Sequence, residues 1–281
     1  MIVILLFLAG LLIALISSSL GIGGGIFTVP VLIFSARMIP IPDQFAGVQA
    51  VAGSLLMAFI FSLSASYRNH KNRTIQWHLG ALLTVGAVPG AVLGSTIAIQ
   101  LKVQQLILIF AFFLTINGLY TLFKKPSSAT AEEDDGAILT PGRMRVLSVI
   151  PIGVLIGMIS SLTGIGGGVF MVPLFMHLYH QTPRQSVATS SFCITIISMS
   201  GALAYLWQGL LISTADIPDP HIGYYYLPLI LPLLVGGLAG GYMGAHVSYK
   251  LPARLLRFLL GVLQLLVAAR LIFESVSGLL V

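Results

Sequence analysis

The stretch Ser17-Ser18-Ser19-Leu20-Gly21-Ile22-Gly23-Gly24-Gly25-Ile26-Phe27-Thr28-Val29-Pro30 decides the architecture, because the chain contains it twice. The copy is Ser160-Ser161-Leu162-Thr163-Gly164-Ile165-Gly166-Gly167-Gly168-Val169-Phe170-Met171-Val172-Pro173. A glycine costs a helix interior about 1 kcal/mol and admits positive φ, so four glycines in five positions break the helix that contains them. Each cluster lies in the middle of a charge-free stretch, 1–36 or 146–183. Both stretches are too long for one membrane crossing, which takes about 20 residues. The expected outcome is a broken helix that turns back as a hairpin.

The other charge-free stretches are 44–67, 74–101, 103–123, 185–215, 220–249 and 258–269, and each reads as one helix, the last beginning near Pro252. Of the 281 residues, 57% are hydrophobic and only 8% charged, against about 25% charged in a soluble domain. Too little polar surface remains to cover a water-soluble body. A cytosolic enzyme, a nucleic-acid module, a disulfide scaffold and a disordered chain are excluded, and the chain reads as an all-α polytopic membrane protein. The single cysteine, Cys193, permits no internal disulfide and no multi-cysteine metal site. The start, MIVILLFLAG, lacks the basic region of a signal peptide and reads as mature protein.

Further along, Gly86, Gly90 and Gly94 recur as Gly236, Gly240 and Gly244. The chain is thus an internal duplication, with membrane repeats at 1–123 and 144–281. A polar linker, 124–143, carries Glu132-Glu133-Asp134-Asp135 and is expected to be a solvated, mobile, cytoplasmic loop. The glycine ladders are small-xxx-small patterns that let helices touch, with packing inside one chain expected; a homo-oligomer is compatible with them.

The basic residues decide whether the repeats are parallel or inverted. With one crossing per broken stretch, Arg37, Lys102, Arg184, Lys250, Arg254 and Arg257 fall on one side and the other eight of the 14 on the opposite side. With a hairpin at each break, only Arg37, Lys102 and Arg270 lie on one side and the other eleven on the opposite side. The second split is what positive-inside topology expects. The fold expected is therefore two inverted repeats, each a glycine-broken helical hairpin followed by three transmembrane helices. Both termini and the Asp216–His221 loop fall on the outer face.

Inverted repeats with discontinuous helices are a recurring plan of secondary transporters, whose substrate sits near the bilayer midplane. Helices restarting at Ile26 and Val169 would aim amino termini at that level, and a helix amino terminus suits an anion. Gly23, Gly24, Gly25, Gly166, Gly167 and Gly168 would let the ligand approach the backbone. Ser18 and Ser161 precede the breaks. Thr189, Ser190 and Ser191 follow the second, and Gln49 stands at the aligned place in the first half. Such hydroxyl and amide groups bind an oxyanion without a fixed countercharge, although a serine in a helix often bonds only its own backbone. Arg37 and Arg184 follow the two broken stretches and are candidate vestibule residues.

The paired Gly-Ile-Gly-Gly-Gly-x-Phe-x-Val-Pro segments and the later Ala188-Thr189-Ser190-Ser191 resemble the sulfite exporter TauE/SafE family of bacterial permeases, over the whole chain. The resemblance implies movement of sulfite or a small organosulfonate across the bacterial cytoplasmic (inner) membrane, usually outward. The first half departs from the family's commoner Thr-Ser pair, having Val48-Gln49 there.

The acidic residues, Asp43, Glu132, Glu133, Asp134, Asp135, Asp216, Asp219 and Glu274, all lie in linkers, loops or near an end. Ion-coupled carriers usually keep an intramembrane carboxylate, so an exporter driven by potential and substrate gradient is expected. The alternatives are an ion-coupled importer of a sulfur or carboxylate anion and a non-transporting assembly subunit. An enzyme is not expected, since no catalytic constellation can be assembled from the spans. No cofactor, metal or nucleic-acid partner is expected; the partners are a small sulfur anion and the lipid bilayer. The glycine runs lack the Gly-Lys-Ser/Thr of a nucleotide loop. Trp77, Trp207, Tyr67 and Tyr224–Tyr226 are expected in interfacial aromatic belts.

Overall fold

The computed structural model describes residues 2–20, 23–36, 42–123, 143–211, 219–247 and 253–276. The first half forms α1 (Ile2–Leu20), α2 (Gly25–Ala36), α3 (Asp43–Lys71), α4 (Trp77–Ala98) and α5 (Val103–Phe123). The second forms α6 (Arg143–Thr163), α7 (Gly168–His177), α8 (Pro183–Leu211), α9 (Leu227–Val247) and α10 (Ala253–Val276). A two-stranded hairpin, β1 (His221–Ile222) and β2 (Tyr225–Tyr226), precedes α9. Both long charge-free stretches break at their glycines, as the sequence predicts. The polar segment 124–142 lies outside the described residues.

Among the described residues, four helical segments are long and apolar enough to cross a membrane: Phe45–Lys71, Trp77–Ala98, Val103–Tyr120 and Arg184–Leu211. At 1.5 Å per residue, α2 and α7 extend about 18 and about 15 Å. Neither spans a hydrocarbon core of about 30 Å, whereas α3 and α8, with 29 residues each, exceed it.

The glycine ladders set the helix pairing. A Cβ added to Gly86, Gly90 or Gly94 on α4 would run into the backbone carbonyls of Ile150, Val154 and Met158 on α6. Gly236 and Gly240 on α9 meet the carbonyls of Phe7 and Leu11 on α1 in the same way. The ladders therefore join helices within one chain. Because the partner numbers rise together, α4 runs parallel to α6 and α9 parallel to α1. The pairing of α4 with α6 is the pairing of α9 with α1 with the halves exchanged.

Counterpart helices pair with each other in the opposite sense. On α3 and α8, Leu55 packs against Gly201 while Ser62 accepts a 3.0 Å bond from Thr195, so the two helices are antiparallel. On α5 and α10, the Asn117 amide donates to Gln264 Oε1 at 3.1 Å, and Gly261 packs on Leu122. Those helices are antiparallel as well. Within the first half, Gly24 sits beside Phe61 and Gly53 beside Leu32, so α2 opposes α3. Gly53 meets Ile230 and Gly237 meets Phe61, so α3 runs with α9 and hence with α1. The chain doubles back between α1 and α2.

Trp77, Trp207 and Tyr67 are exposed, consistent with belt positions, but Tyr224, Tyr225 and Tyr226 are not. The β1–β2 pairing, His221 with Tyr226 and Ile222 with Tyr225, turns them inward onto the main core. Tyr225 Oη donates to the Ala202 carbonyl at 2.7 Å, and burial pushes its phenol pKa up, which keeps that donor protonated. An aromatic at a span end takes the belt position only when its ring faces lipid.

Replacing Gly90 by Leu places a β carbon on the Val154 carbonyl and should destabilise the protein by about 3 kcal/mol, the upper range for overpacking. Thermal unfolding in detergent checks this, with Val92→Leu, on an exposed position of the same helix, expected to leave the midpoint unchanged.

Candidate functional site

The two glycine breaks meet halfway along α3 and α8. Gly23, Gly24, Gly164, Gly166 and Gly167 have φ of +86°, +71°, +71°, +82° and +74°, values that L side chains with a Cβ rarely adopt. Gly25 is required for another reason: its β position falls on the Gly164 carbonyl and the Ile165 backbone. The breaks thus touch backbone to backbone. One methyl of Ile194, Cγ2, lies 3.1 Å from the β position of Gly23 and 3.3 Å from that of Gly166, so this side chain fills the gap between them.

Beyond each break a helix restarts toward this point. Phe27 and Thr28 N–H donate to Gly24 O at 3.0 and 3.2 Å, and Phe170 and Met171 N–H to Gly167 O at 3.1 and 3.2 Å. Gly167 is the left-handed N-cap of α7 and supplies no side-chain cap, which leaves first-turn amides uncapped by any side chain.

Hydroxyls surround the breaks. Ser54 Oγ lies 2.7 Å from Thr28 Oγ1 and donates to Gly164 O at 2.8 Å, with Gly25 O at 3.3 Å. It ties both breaks to α3. A cavity of about 10 Å³, lined by Ser17, Gly23, Phe61, Ser62, Ala65, Ser191 and Ile194, adjoins the first break; it has room for about one water. The Ser62 and Ser191 protons go to their own helix, to Phe59 O at 3.1 Å and Val187 O at 2.8 Å. The hydroxyls of Ser17, Ser160, Ser161, Ser190 and Ser198 and the Gln49 amide are buried with no hydrogen-bond partner among the described residues. Such groups are costly in an apolar interior unless something else bonds them.

The residues singled out in the sequence fall into separate places. Gly23, Gly24, Gly25, Gly166, Gly167 and Gly168 come together, with Ser191 on the adjoining cavity. Ser161 is buried beside Gly201, and its carbonyl accepts the Tyr205 hydroxyl at 2.8 Å. Thr189 accepts the Gln76 N–H at 3.1 Å, at the α3–α4 connection. Gln49 stands thirteen residues before Ser62, about 20 Å away along α3. Arg184 is exposed at the start of α8, Ser18 lies in the last turn of α1, and Arg37 falls outside the described residues.

Ser54, Ser62, Thr195 and Ile194 escape a reading centred on the glycines. A signal for the hydroxyls exists: Ser54, Ala58 and Ser62 repeat at four-residue spacing on α3, and Ser191, Thr195 and Ser198 at four and three on α8. Each set is a small, polar helix face. Among the described residues the buried polar side chains are Ser, Thr, Asn, Gln and Tyr, with no Asp, Glu, Lys, Arg or His. No group of three His, Cys, Asp or Glu suited to a metal occurs among them either. Cys193 is buried with its thiol 3.6 Å from Gly80 O, packed as apolar filling between α8 and α4.

Ser54→Ala leaves the Gly164 carbonyl without its cross-repeat donor and should cost about 1–3 kcal/mol, the penalty for an orphaned buried acceptor. Ser191→Ala removes only a bond to a carbonyl of its own helix and should cost less than half as much. Thermal unfolding of the two variants in the same detergent checks the difference.

A family profile described as "Sulfite exporter TauE/SafE" matches residues 6–271. The probable membrane transporter protein YunE of Bacillus subtilis (strain 168) is 28% identical over 215 residues, covering 73% of this chain and 79% of its own. A probable membrane transporter protein of Haemophilus influenzae is 27% identical over 255 residues, covering 91% and 92%. One of Methanocaldococcus jannaschii is 27% identical over 263 residues, covering 92% and 90%. No solved structure matches the chain. With a duplicated glycine break at its centre and a profile match over nearly its whole length, the chain belongs to the sulfite exporter TauE/SafE family of membrane transporters.

Proposed function

We propose that this transporter exports sulfite or a small organosulfonate across the bacterial inner membrane, driven by membrane potential and substrate gradient. The observation that carries this reading is the meeting of two restarted helices at Gly23–Gly25 and Gly166–Gly168, beside buried hydroxyls with no partner among the described residues. Uncapped amides and unspent O–H groups form a donor set for an oxyanion. In this reading the anion binds there, with Ser17 and Ser191 to one side. Thr189 and Ser190 lie toward one mouth and Gln49 toward the other, while Arg37 and Arg184 concentrate anions at the vestibules.

The repeats, 1–123 and 144–281, are inverted in this proposal. What supports it is the antiparallel run of α3 with α8 and of α5 with α10. One crossing per broken stretch would give four spans per half and make those counterparts parallel. In this proposal both termini and the Asp216–His221 loop lie outside and the 124–143 linker in the cytoplasm, which the distribution of basic residues supports.

Absence of ionised side chains from the buried set among the described residues supports transport without a carboxylate relay. An anion leaving a cell that is negative inside gains about 2.3 kcal/mol per charge per 100 mV, which makes a coupling ion unnecessary for export.

Sulfite flux through protein in liposomes, with the potential clamped and no sodium or proton gradient, tests the mechanism. Flux toward the positive side should rise with voltage; flux that appears only with an ion gradient would replace this reading with a coupled carrier. Glycine substitutions test the site poorly, because a Cβ on Gly24 would lie 2.5 Å from the Phe61 ring. Ser17→Ala is cleaner, since its hydroxyl has no hydrogen-bond partner among the described residues. It should lower flux about tenfold, the worth of one hydrogen bond to a charge, with the same amount of folded protein recovered.

A further inference from the structure

We propose that Tyr205 and Tyr225 latch a gate over one mouth of the transport path, the outer one, and that the β1–β2 hairpin is the part that lifts. This inference rests on the path and the orientation proposed above. Tyr205, Tyr224 and Tyr225 are 0, 3 and 7% exposed, although the hairpin is only the connection between α8 and α9. β1 touches α8, and β2 touches α3 and α9. The turn is seated backbone on backbone, since a Cβ on Gly209 of α8 would lie 2.8 Å from Gly223 Cα. Tyr224 meets the Phe45 ring at the start of α3, with centroids 6.2 Å apart. Aromatic rings thus bridge the start of α3 and the end of α8. The cavity beside Ser62 and Ala65 lies the other way along α3, toward its end.

Two hydrogen bonds fasten this seal beside the second glycine break. Tyr205 Oη donates to the Ser161 carbonyl at 2.8 Å, and Tyr225 Oη to the Ala202 carbonyl at 2.7 Å. Ser161 lies in the last turn of α6, whose final carbonyls have no partner within the helix. The Ile165 N–H, which an unbroken helix would give it, goes to Thr163 Oγ1 at 3.4 Å instead. Ser161 Oγ is also 2.6 Å from the β position of Gly201, the residue before Ala202. Withdrawal of the α6 end therefore breaks the Tyr205 bond and removes the packing next to the Tyr225 acceptor. What lies behind the tyrosines suits a path that opens. Ser161 Oγ and both polar atoms of the Gln49 amide are buried with no hydrogen-bond partner among the described residues. Gln49 stands six residues before Leu55, about 9 Å along α3. Since Leu55 touches Gly201, that is the level of Tyr205 to Trp207 on antiparallel α8. A permanent plug would keep these groups dry at a standing cost; lifting it wets them.

Labelling with a charged, membrane-impermeant methanethiosulfonate tests the gate, using Gln49→Cys in a Cys193→Ala background. In spheroplasts, adding Tyr205→Phe and Tyr225→Phe should speed the reaction about tenfold, the worth of two neutral hydrogen bonds. In inside-out vesicles the same pair should leave the rate unchanged. The rings stay in place, so only the latch is removed. Native Cys193, buried between α8 and α4, measures general loosening when the tyrosine pair is made without Gln49→Cys, and its rate should not change. An unchanged rate at position 49 overturns the gate, as does acceleration equal or greater in inside-out vesicles. Equal gains at positions 49 and 193 mean that the tyrosines only hold the fold, and overturn it as well. No cargo is used, so a failed labelling result leaves the sulfite reading standing. Sulfite flux that fails through folded protein likewise leaves the labelling result standing.

Discussion

A backbone group that leaves its helix inside a bilayer finds no water, so it must be bonded by protein or by whatever the protein carries. This chain interrupts two helices halfway along the long apolar α3 and α8 and brings the interruptions into contact, Gly25 against Gly164. Much else follows from that contact. Ser54 must sit where its hydroxyl reaches the Gly164 carbonyl. The helices α3 and α8 must cross closely enough for Leu55 to touch Gly201. Close crossing in turn favours small residues at Ala58 and Ser198, both beside Gly166. The outer pairs, α1 with α9 and α4 with α6, then hold the broken helices by backbone-to-backbone approach along the glycine ladders.

How much of this was legible in the sequence depends on what kind of information a residue carries. A run such as Gly164-Ile165-Gly166-Gly167-Gly168 states its consequence locally, because no tertiary contact makes such a run a good helix. The breaks, the duplication and the helical elements could therefore be read directly. The ladder at Gly86, Gly90 and Gly94 announces a close crossing but not its partner. That partner, α6, is fixed only when Gly153 and Gly157 meet the Leu83 and Ala87 carbonyls from the other side. Tyr224–Tyr226 misled for a related reason: composition places an aromatic at the right depth but says nothing of the face its ring takes. The serines were harder still. A hydroxyl that bonds its own helix, as Ser191 does, is indistinguishable in sequence from one left unspent, as in Ser17.

The two halves have not kept their polar contacts alike. Thr28 lies against Ser54 in the first half, and its counterpart in the repeated motif is Met171. Thr195 stands five residues after Ser190 as Ser54 does after Gln49, yet it lies within bonding distance of Ser62 and of Ser191 O rather than a glycine break. Backbone pairing is thus preserved across the duplication while side-chain ties differ. Backbone contacts constrain shape, which both halves need. Side-chain hydroxyls set the strength with which each break is held, and in a transporter with inverted repeats unequal strengths make the inward-facing and outward-facing states unequal in energy. That inequality changes how often the empty carrier faces each side, while the direction of net flux stays set by the electrochemical gradient of the cargo.

A site made of neutral donors, as proposed for this transporter, would also answer a kinetic demand. Conduction needs binding favourable enough for the ion to enter and weak enough for it to leave. A buried arginine would hold a sulfonate by a paired, charge-assisted interaction, and on release it would remain as an unpaired charge in hydrocarbon. Helix dipoles and hydroxyls behave differently. Their partial charges are built into the fold, and a released hydroxyl can take up a water, for which the cavity beside Ser17 and Ser191 has room. The empty site then costs little, and it can change the side it faces without carrying a charge through the bilayer. In the proposed exporter, driven by the anion's own fall through the potential, the return step would then move no charge and run against no voltage, which a site made of neutral donors secures and a fixed cation would not.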